Sequence, residues 1–348
     1  MKKIKEFNPY TPDGWIDFEA IRSFGMPFNF IWSERGPGKT YGVLKSVLEN
    51  NEMHILMRRT ETELAAISFT DLSPYQPVLD DHPELGPITI RSIPKISAAY
   101  QVVRDDNVIG YTLAMATARN VRGFDLSKCS VLIYDEFIPE RHARPIKDEG
   151  TAFLNVIETI NRNRELKGGA PLQVFCTGNA NDIDNAIFSE LGLINIAYNM
   201  QESGKQLYVD RSRGLLLFNA VGNDVFTNAK RKTSLYKLVG DNSAFTAMAL
   251  DNKFTAFSSD RIKTRNLIEY KLLAQIGELF VYKHKSNTRY YISTRAVGTP
   301  KRVYSCSAAD IKHGCQDHYY LVHAYLTDRV DCEDAATKVI FERYYKLS

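Results

Sequence analysis

Four polar residues in two short segments have the types and spacing needed to bind and hydrolyse a nucleotide. Lys39 and Thr40 close a glycine-rich segment, and the pair Asp135-Glu136 begins 95 residues after Thr40. A lysine can reach the outer phosphates of a nucleotide, and a threonine hydroxyl can bind Mg²⁺. Hydrolysis also needs a carboxylate on the metal and a base for the attacking water. These residues therefore predict a site that uses ATP and Mg²⁺.

The glycine-rich segment has the composition of a phosphate-binding loop. Backbone N–H groups of such a loop, together with the positive end of a helix, donate hydrogen bonds to phosphate oxygens at close range. The usual pattern begins with glycine, and a serine stands there in this chain, so the motif falls short of a full match. The predicted ATP-binding residues are Ser33, Glu34, Arg35, Gly36, Pro37, Gly38, Lys39 and Thr40.

The predicted elements around the glycine-rich segment come in the order strand, loop and helix, as a phosphate-binding loop requires. Residues 28–32 predict a buried strand before the loop, and residues 41–48 predict a helix after it. Further apolar runs at 53–57, 110–116, 130–134 and 172–176 predict a mainly parallel sheet with covered faces. The acidic pair follows the 130–134 strand, so both carboxylates should emerge at the edge where α/β proteins bind ligands.

The acidic pair predicts separate roles for its two members. Asp135 would hold Mg²⁺ through water, and Glu136 would deprotonate the attacking water. Such a pair could also be an ordinary helix N-cap, but its combination with Lys39 and Thr40 favours catalysis. A catalytic Glu here is typical of P-loop ATPases with an additional strand between the loop strand and the acidic strand. The 110–116 strand is the one predicted to fill that place.

Polar residues after the 172–176 strand and arginines after a predicted helix are further candidates for contacts with the γ-phosphate. Asn179 follows the 172–176 strand and could act as a sensor, with Thr177 as the second choice; a simple Asx-turn is the alternative. Arg162 and Arg164 follow a predicted helix at 152–160, where an arginine could reach a neighbouring subunit's nucleotide as a catalytic finger. They could instead pair with surface carboxylates, and Arg35 is a further candidate.

Composition and charge narrow the class of protein. The chain has 348 residues, five cysteines without metal-ligand spacing, and no apolar run as long as a membrane span. A soluble intracellular protein with reduced thiols, without membrane or zinc partners, is expected. Residues 226–348 contain 20 Lys+Arg and 12 Asp+Glu, a net charge of +8, whereas residues 1–225 carry −5. The basic part suggests a nucleic-acid partner, although a solvated basic face would look the same.

The pattern along the chain predicts three regions. Residues 1–225 form an α/β domain in which the polar, Pro-rich stretch 70–95 is a surface excursion. Residues 226–256 form a helical linker with a basic amphipathic helix at 228–239 and a second helix at 243–250. Residues 257–348 form a small α+β domain with an antiparallel meander at 266–274, 277–285 and 288–297, followed by a helix at 333–345.

The ordered set of motifs resembles the DNA-packaging ATPases of phi29-like bacteriophages, which are relatives of the FtsK/HerA translocases. The resemblance covers most of the ATPase domain and the linker, and the last hundred residues match only in pattern. The motifs that carry it are Arg35-Gly36-Pro37-Gly38-Lys39-Thr40, Met57-Arg58-Arg59, Tyr134-Asp135-Glu136-Phe137-Ile138, Arg162-Asn163-Arg164-Glu165 and Gly178-Asn179-Ala180, with echoes at Arg231-Lys232-Thr233 and Leu250-Asp251-Asn252.

This resemblance implies a homomeric ring, expected to be a pentamer, that drives double-stranded DNA through the portal of a prohead in the host cytoplasm. It makes Arg162 the expected trans finger. The C-terminal domain would resemble a vestigial RNase H-like nuclease that binds rather than cuts. Its first predicted strand, 266–274, would carry Glu269, without an evident set of three carboxylates. Some relatives dock on a packaging RNA, and the sequence leaves open whether this chain does so.

A translocating ring must also grip DNA without reading its sequence, which calls for cations on pore loops. Arg119 and Arg122 are the best candidates, and Arg58 and Arg59 are weaker ones; all could be ordinary surface cations. Two other functions remain open. One is a cellular or plasmid DNA translocase or helicase. The other is a nucleic-acid-binding protein or nuclease whose P-loop does not hydrolyse ATP.

Overall fold

The computed structural model describes residues 8–34, 36–68, 72–94, 96–117, 125–140, 143–220, 224–240 and 257–347. These residues form two compact units. The second unit consists of residues 192–198 and 257–347, and the first unit contains the others, including 224–240. No helix in these ranges combines the length and the apolar character needed to cross a bilayer.

The first unit is built on a large mixed sheet. Its strands are β1 (Phe28–Ser33), β2 (His54–Arg58), β3 (Ile88–Ile93), β4 (Ile96–Arg104), β5 (Asn107–Ala114), β6 (Val131–Asp135), β7 (Gln173–Asn179), β8 (Leu207–Asp210) and β9 (Leu215–Ala220). The sheet order is β3-β4-β5-β2-β6-β7-β1-β9-β8. The six strands from β5 to β9 in that order are parallel, and antiparallel strands complete both edges. The predicted mixed α/β class with a mainly parallel sheet is confirmed.

Helices connect and cover these strands. They are α1 (Phe18–Arg22), α2 (Lys39–Glu49), α3 (Glu61–Ala66), α4 (Gln76–Asp81), α5 (Glu149–Asn161), α6 (Ala186–Glu190), α8 (Asp224–Arg231) and α9 (Ser234–Val239). Helix α7 (Ile194–Ser203) begins in the second unit and ends in the first. Every residue of β6 and β9 is buried. Continuous apolar runs are expected in strands that are covered on both faces, and β6 was predicted from such a run. β9 is buried to the same degree but was not predicted.

The additional strand is not the one expected. β7 lies between the loop strand β1 and the acidic strand β6, whereas β5 lies beyond β2 on the far side of β6. The assignment of residues 110–116 to the inserted position is therefore wrong. Parallel strands are joined by long crossovers, so the order of strands along the chain does not give their order in the sheet.

The burial of residues 72–94 also differs from the predicted surface excursion. Tyr75 and Val78 are fully buried, and Ile88 begins strand β3. Pro77 lies in the first turn of α4, where a missing backbone N–H costs no helical hydrogen bond. Pro77 and Pro83 thus lie at the start of short helical turns, and the interpretation of this stretch as a surface excursion is wrong.

A buried histidine ties α4 to the sheet and should make stability depend on pH. His54 contacts the Tyr75 hydroxyl at 2.8 Å and the Glu52 carbonyl oxygen at 3.0 Å, and burial lowers the pKa of His54 to about 4. The His54 imidazole becomes protonated near pH 6.5 in the unfolded chain but stays neutral to about pH 4 in the folded chain. The stability that depends on neutral His54 is therefore fully present above pH 6.5 and is lost as pH falls towards 4. We expect a loss of about 2 kcal/mol between pH 7 and pH 5.

Urea unfolding followed by tryptophan emission measures this effect, because Trp32 lies in the core of the first unit. His54→Gln should lower stability at pH 7 and flatten its change between pH 7 and pH 5. If the free energy of unfolding fell equally between pH 7 and pH 5 in the wild type and in His54→Gln, groups other than His54 would cause the pH dependence.

Residues 257–347 of the second unit form a smaller sheet and three α-helices. The elements are β10 (Tyr270–Ile276), β11 (Leu279–His284), β12 (Tyr290–Ser293), β13 (Arg302–Tyr304), α10 (Ala308–Asp317), α11 (Tyr320–Leu326), β14 (Val330–Cys332) and α12 (Ala335–Tyr345). β10, β11 and β12 form the predicted antiparallel meander, and β13 and β14 add to its two sides in parallel. The predicted final helix is confirmed as α12.

The predicted basic helix at 228–239 consists of two helices, α8 and α9, that meet at Lys232-Thr233. Thr233 has extended backbone angles and lies at the N-terminus of α9. Its side chain makes no cap hydrogen bond to α9, and its hydroxyl instead donates to the Lys230 carbonyl at the end of α8 at 2.8 Å. The helix predicted at 243–250 lies outside the described residues.

Candidate active site

The glycine loop joins β1 to α2 in the predicted order. Gly36 has φ +103° and Gly38 has φ +81°, conformations that favour glycine. Ser33 has no positive φ, and its side chain is fully buried. Its hydroxyl accepts a hydrogen bond from Lys39 Nζ at 2.6 Å and donates to the Glu34 carbonyl at 2.7 Å. Serine is therefore tolerated at this position because the backbone does not require glycine there.

Lys39 is held inside the loop by oxygen atoms. Besides Ser33, its ammonium donates to the Glu34 carbonyl at 2.8 Å and to Asn179 Oδ1 at 3.1 Å. Burial lowers the pKa of Lys39 to about 8, while the attraction of Asp135 and Glu34 opposes the change. The side chain therefore stays mainly protonated at neutral pH and keeps the charge that a phosphate would need.

The first carboxylate of the acidic pair lies beside the loop threonine. Asp135 is buried at the end of β6, and the Thr40 hydroxyl lies 3.0 and 2.9 Å from its two carboxylate oxygens. Thr177, fully buried on the adjacent strand β7, donates to Asp135 Oδ1 at 2.6 Å. Thr177 therefore orients the carboxylate, and its hydroxyl is directed at Asp135 in this conformation.

The second carboxylate has an unusual backbone and a cationic partner. Glu136 has φ +59°, a left-handed conformation that is costly for a non-glycine residue. Its Oε2 lies 2.7 Å from Arg58 Nη1, and the other guanidinium nitrogen lies 3.0 Å from Asp135 Oδ2. Partial burial raises the pKa of Glu136, Arg58 opposes this change, and Asp135 adds to it. A raised pKa suits a carboxylate that must accept a proton.

The position of the inserted strand brings the sensor candidate to the loop. In the sheet register Ser33 pairs with Asn179, and Asp135 pairs with Thr177. β7 thus carries Asn179 to Lys39 and Thr177 to Asp135. The carboxyl ends of β1, β7 and β6 therefore converge on one cavity of about 710 Å³, which Lys39, Thr40, Asp135, Glu136 and Asn179 line.

The two arginines at the end of β2 do not form the DNA-binding pair that the sequence suggested. Arg58 faces the acidic pair in the active site. Arg59 is 2% exposed and donates two hydrogen bonds of 2.8 Å to the buried carboxylate of Glu149, which also accepts from the Tyr134 hydroxyl. Arg59 therefore has a structural role in this conformation and is not available to a phosphate backbone.

The two finger candidates differ in exposure. Arg164 donates to the backbone carbonyl oxygens of Ser127 and Cys129, which fixes it next to the loop before β6. Arg162 has a side chain that is 46% exposed, lies 3.7 Å from Asp125, and is outside the lining of the cavity in its own chain. The geometry therefore favours Arg162 over Arg164 as a residue that could reach another subunit. Arg35, Arg119 and Arg122 lie outside the described residues.

The sequence did not predict three neighbours of the site. Lys230 on α8 and the ring of Phe226 both come within 3.2 Å of where a Cβ on Gly36 would lie, and Trp15 comes within 3.0 Å of the same position on Gly38. The basic pattern of residues 228–239 was visible, but nothing in it indicated contact with the loop. The contact of Arg58 with the acidic pair was also not predicted, because it depends on the parallel pairing of β2 with β6, which places Arg58 beside Asp135.

Comparisons with known proteins agree with this architecture. The profile of the family described as Podovirus DNA encapsidation protein (Gp16) matches residues 15–330. The DNA packaging proteins of Bacillus phages phi29 and PZA are each 24% identical over 315 residues, which span 87% of this chain and 83% of each relative.

Two solved structures have the same fold. The phi28 gp11 DNA packaging motor aligns with a TM-score of 0.64 and 17% identity, covering 97% of this chain and 99% of that chain. The bacteriophage phi29 viral genome packaging motor assembly aligns with a TM-score of 0.66 and 20% identity, covering 96% of this chain and 98% of that chain. Both alignments extend across the two units of the chain.

Proposed function

Because this chain belongs to the family of podovirus DNA encapsidation proteins, we propose that it hydrolyses ATP to move viral double-stranded DNA into a preformed prohead. The observation that carries the proposal is the convergence of Lys39, Thr40, Asp135, Glu136 and Asn179 on one cavity. DNA movement needs an energy source, and a phosphate loop next to a metal-binding carboxylate and a base can supply it.

The residues of the cavity fit a nucleotide and its metal ion. The oxygens that now hold Lys39 are the kind of partner that phosphate oxygens would replace. Thr40 and Asp135 already bring hard oxygen ligands together, as Mg²⁺ prefers. When bound, Mg²⁺ would neutralise charge on the β- and γ-phosphate oxygens. Thr40 would bind it directly and Asp135 through water.

The same residues account for hydrolysis. Glu136 takes a proton from the attacking water, Lys39 stabilises charge on the outer phosphates, and Asn179 contacts the γ-phosphate or the water. In this conformation Arg58 occupies one oxygen of Glu136. The ion pair uses only Oε2, so Oε1 accepts the proton of the attacking water while Arg58 holds the carboxylate in place, which makes Arg58 a positioning residue.

The proposal extends to a homomeric ring, expected to be a pentamer, on the portal of the prohead in the host cytoplasm. Glu136 and Arg162 both have positive φ, at +59° and +45°, whereas most other such non-glycine residues in the described ranges are Asn or Asp. Strained backbone persists where surrounding structure imposes it, often at functional sites. We therefore assign the trans finger to Arg162.

The proposal also covers contacts with nucleic acid and with the portal. Arg119 and Arg122 remain the candidates for gripping DNA. The second unit would be a vestigial RNase H-like domain that docks on the portal or on a packaging RNA, without cutting DNA. Within the described residues no group of three or more His, Cys, Asp and Glu side chains is placed to hold a metal ion.

The two alternative functions have less support. A cellular or plasmid translocase would share the ATPase site, but membership of the encapsidation family favours a prohead partner. A non-hydrolysing P-loop was suggested by Ser33, and the unstrained backbone of Ser33 removes that reason. Copurification with portal protein distinguishes the packaging motor from a cellular translocase.

The test is ATP hydrolysis by the purified chain with and without double-stranded DNA and portal-bearing proheads. We expect MgATP turnover that DNA and proheads stimulate, together with protection of packaged DNA from nuclease. Lys39→Ala should remove turnover and packaging, since the phosphates lose their cation. Packaging without ATP, or turnover that survives Lys39→Ala, would contradict the proposal.

A further inference from the structure

The cavity extends beyond the groups that would hold phosphate and metal. Trp15, Tyr41, Pro77 and Asp81 line another part of it. Trp15, Tyr41 and Pro77 offer apolar surface, and the Trp15 side chain is 46% exposed. A large exposed indole next to a phosphate loop suits a ligand that is charged at one end and flat and apolar at the other.

Trp15 is fixed relative to the glycine loop. The backbone N–H of the next residue, Ile16, donates to the Pro37 carbonyl at 3.2 Å, and Trp15 itself exchanges hydrogen bonds with Thr11. The indole lies 5.5 Å from the ring of Phe226 on α8. Its position is therefore determined before any ligand binds, which lowers the entropic cost of using it as a binding surface.

Tyr41 contributes a second aromatic ring that is also held in place. It follows Thr40 in the first turn of α2, and its hydroxyl donates to Asp81 Oδ2 at 2.9 Å. Burial and this hydrogen bond raise the pKa of Tyr41 to about 12, so the hydroxyl stays a donor. Asp81 and Pro77 lie on α4, which Tyr75 anchors to His54 on β2.

From this arrangement we propose that Trp15 and Tyr41 form the nucleobase subsite of the nucleoside triphosphate, with Trp15 as the surface on which the base stacks. This inference rests on the proposed function, because it assigns the other end of the same ligand. Asp81 is a positioning residue that holds the Tyr41 ring. The triphosphate would extend from this subsite to Lys39 and Thr40.

Calorimetric titration with MgATP and with magnesium tripolyphosphate separates base contacts from phosphate contacts. Trp15→Ala should weaken MgATP binding about 10-fold, the size of a lost base–aromatic stack, and leave tripolyphosphate affinity within about twofold. Trp15→Phe keeps an aromatic face and should retain most of the MgATP affinity. The KM for ATP should rise in Trp15→Ala while kcat changes little.

Tryptophan emission gives an independent measurement. The chain has two tryptophans, and Trp32 is fully buried, so emission changes on binding should come from Trp15. We expect MgATP to quench emission in the wild type and in Trp32→Phe, and tripolyphosphate to have little effect.

Equal weakening of both ligands in Trp15→Ala would overturn the inference, because Trp15 would then only support the loop through Gly38. Unchanged MgATP affinity in that variant would also overturn it. In both cases ATP hydrolysis by the wild type would leave the proposed function standing. A wild-type chain that bound neither ligand would overturn both proposals.

Discussion

Glu136→Gln should bind MgATP nearly as well as the wild type but hydrolyse it at least ~10²-fold more slowly, as expected when a general base is removed. Glutamine preserves the size of the side chain and cannot accept the proton of the attacking water. Lys39, Thr40 and Asp135, which would hold the phosphates and the metal, are unchanged. Calorimetric titration would measure binding, and phosphate release would measure turnover.

The matched control is Glu158→Gln, which changes an exposed carboxylate on α5 and should leave both quantities unchanged. Because the pKa of Glu136 is raised in the free protein, the acid limb of the wild-type kcat/KM profile should lie at a higher pH than an ordinary glutamate would give. Normal turnover by Glu136→Gln would exclude Glu136 as the base. Loss of MgATP binding in the same variant would instead indicate that Glu136 helps to hold the nucleotide.

The parts of this site that the sequence predicted are those whose geometry is local. The loop from Ser33 to Thr40 has its strand and helix on either side, so the phosphate cradle follows from one short segment. Asp135 and Glu136 follow a run of buried residues, and the end of such a strand fixes where they emerge. Asn179 needed only the additional fact that its strand ends at the same edge.

The parts that were missed depend on which strands lie side by side. Arg58 was only a weaker candidate for DNA contact or an ordinary surface cation, whereas the pairing of β2 with β6 places it against Asp135. The same limitation put the 110–116 strand in the inserted position that β7 occupies. Strand order in a parallel sheet depends on crossovers that leave little trace in local composition.

Contacts between distant segments explain the remaining errors. Trp15 and Lys230 come to the loop from opposite directions along the chain, and neither has a local pattern that signals it. Tyr75 and Val78 belong to a stretch whose prolines and polar residues suggest a loop, yet both are fully buried. In each case tertiary packing decides the outcome, and composition over a short window cannot predict it.

Arg162→Ala should lower DNA-stimulated ATP turnover by ~10³-fold or more, because a finger arginine stabilises charge that develops on the transferred phosphoryl group. The exposed side chain contributes little to the fold, so unfolding temperature and MgATP affinity should stay near those of the wild type. Arg162→Lys keeps the charge but loses the planar fork, and should recover only part of the rate. Turnover would be measured on portal-bearing proheads with DNA present.

Mixing two inactive variants tests whether the finger acts between subunits. In a ring of Arg162→Ala and Glu136→Gln subunits, some interfaces pair an intact Glu136 with an intact Arg162 from the neighbour, so turnover should reappear on mixing. Two controls should stay inactive. Rings made of one single variant contain no complete interface, and rings that mix Arg162→Ala with Lys39→Ala,Arg162→Ala subunits contain no intact Arg162. If the two single variants stay inactive together although both assemble on proheads, Arg162 would have to act within its own subunit. The 46% exposure of its side chain and its place outside the cavity of its own chain argue for the neighbour.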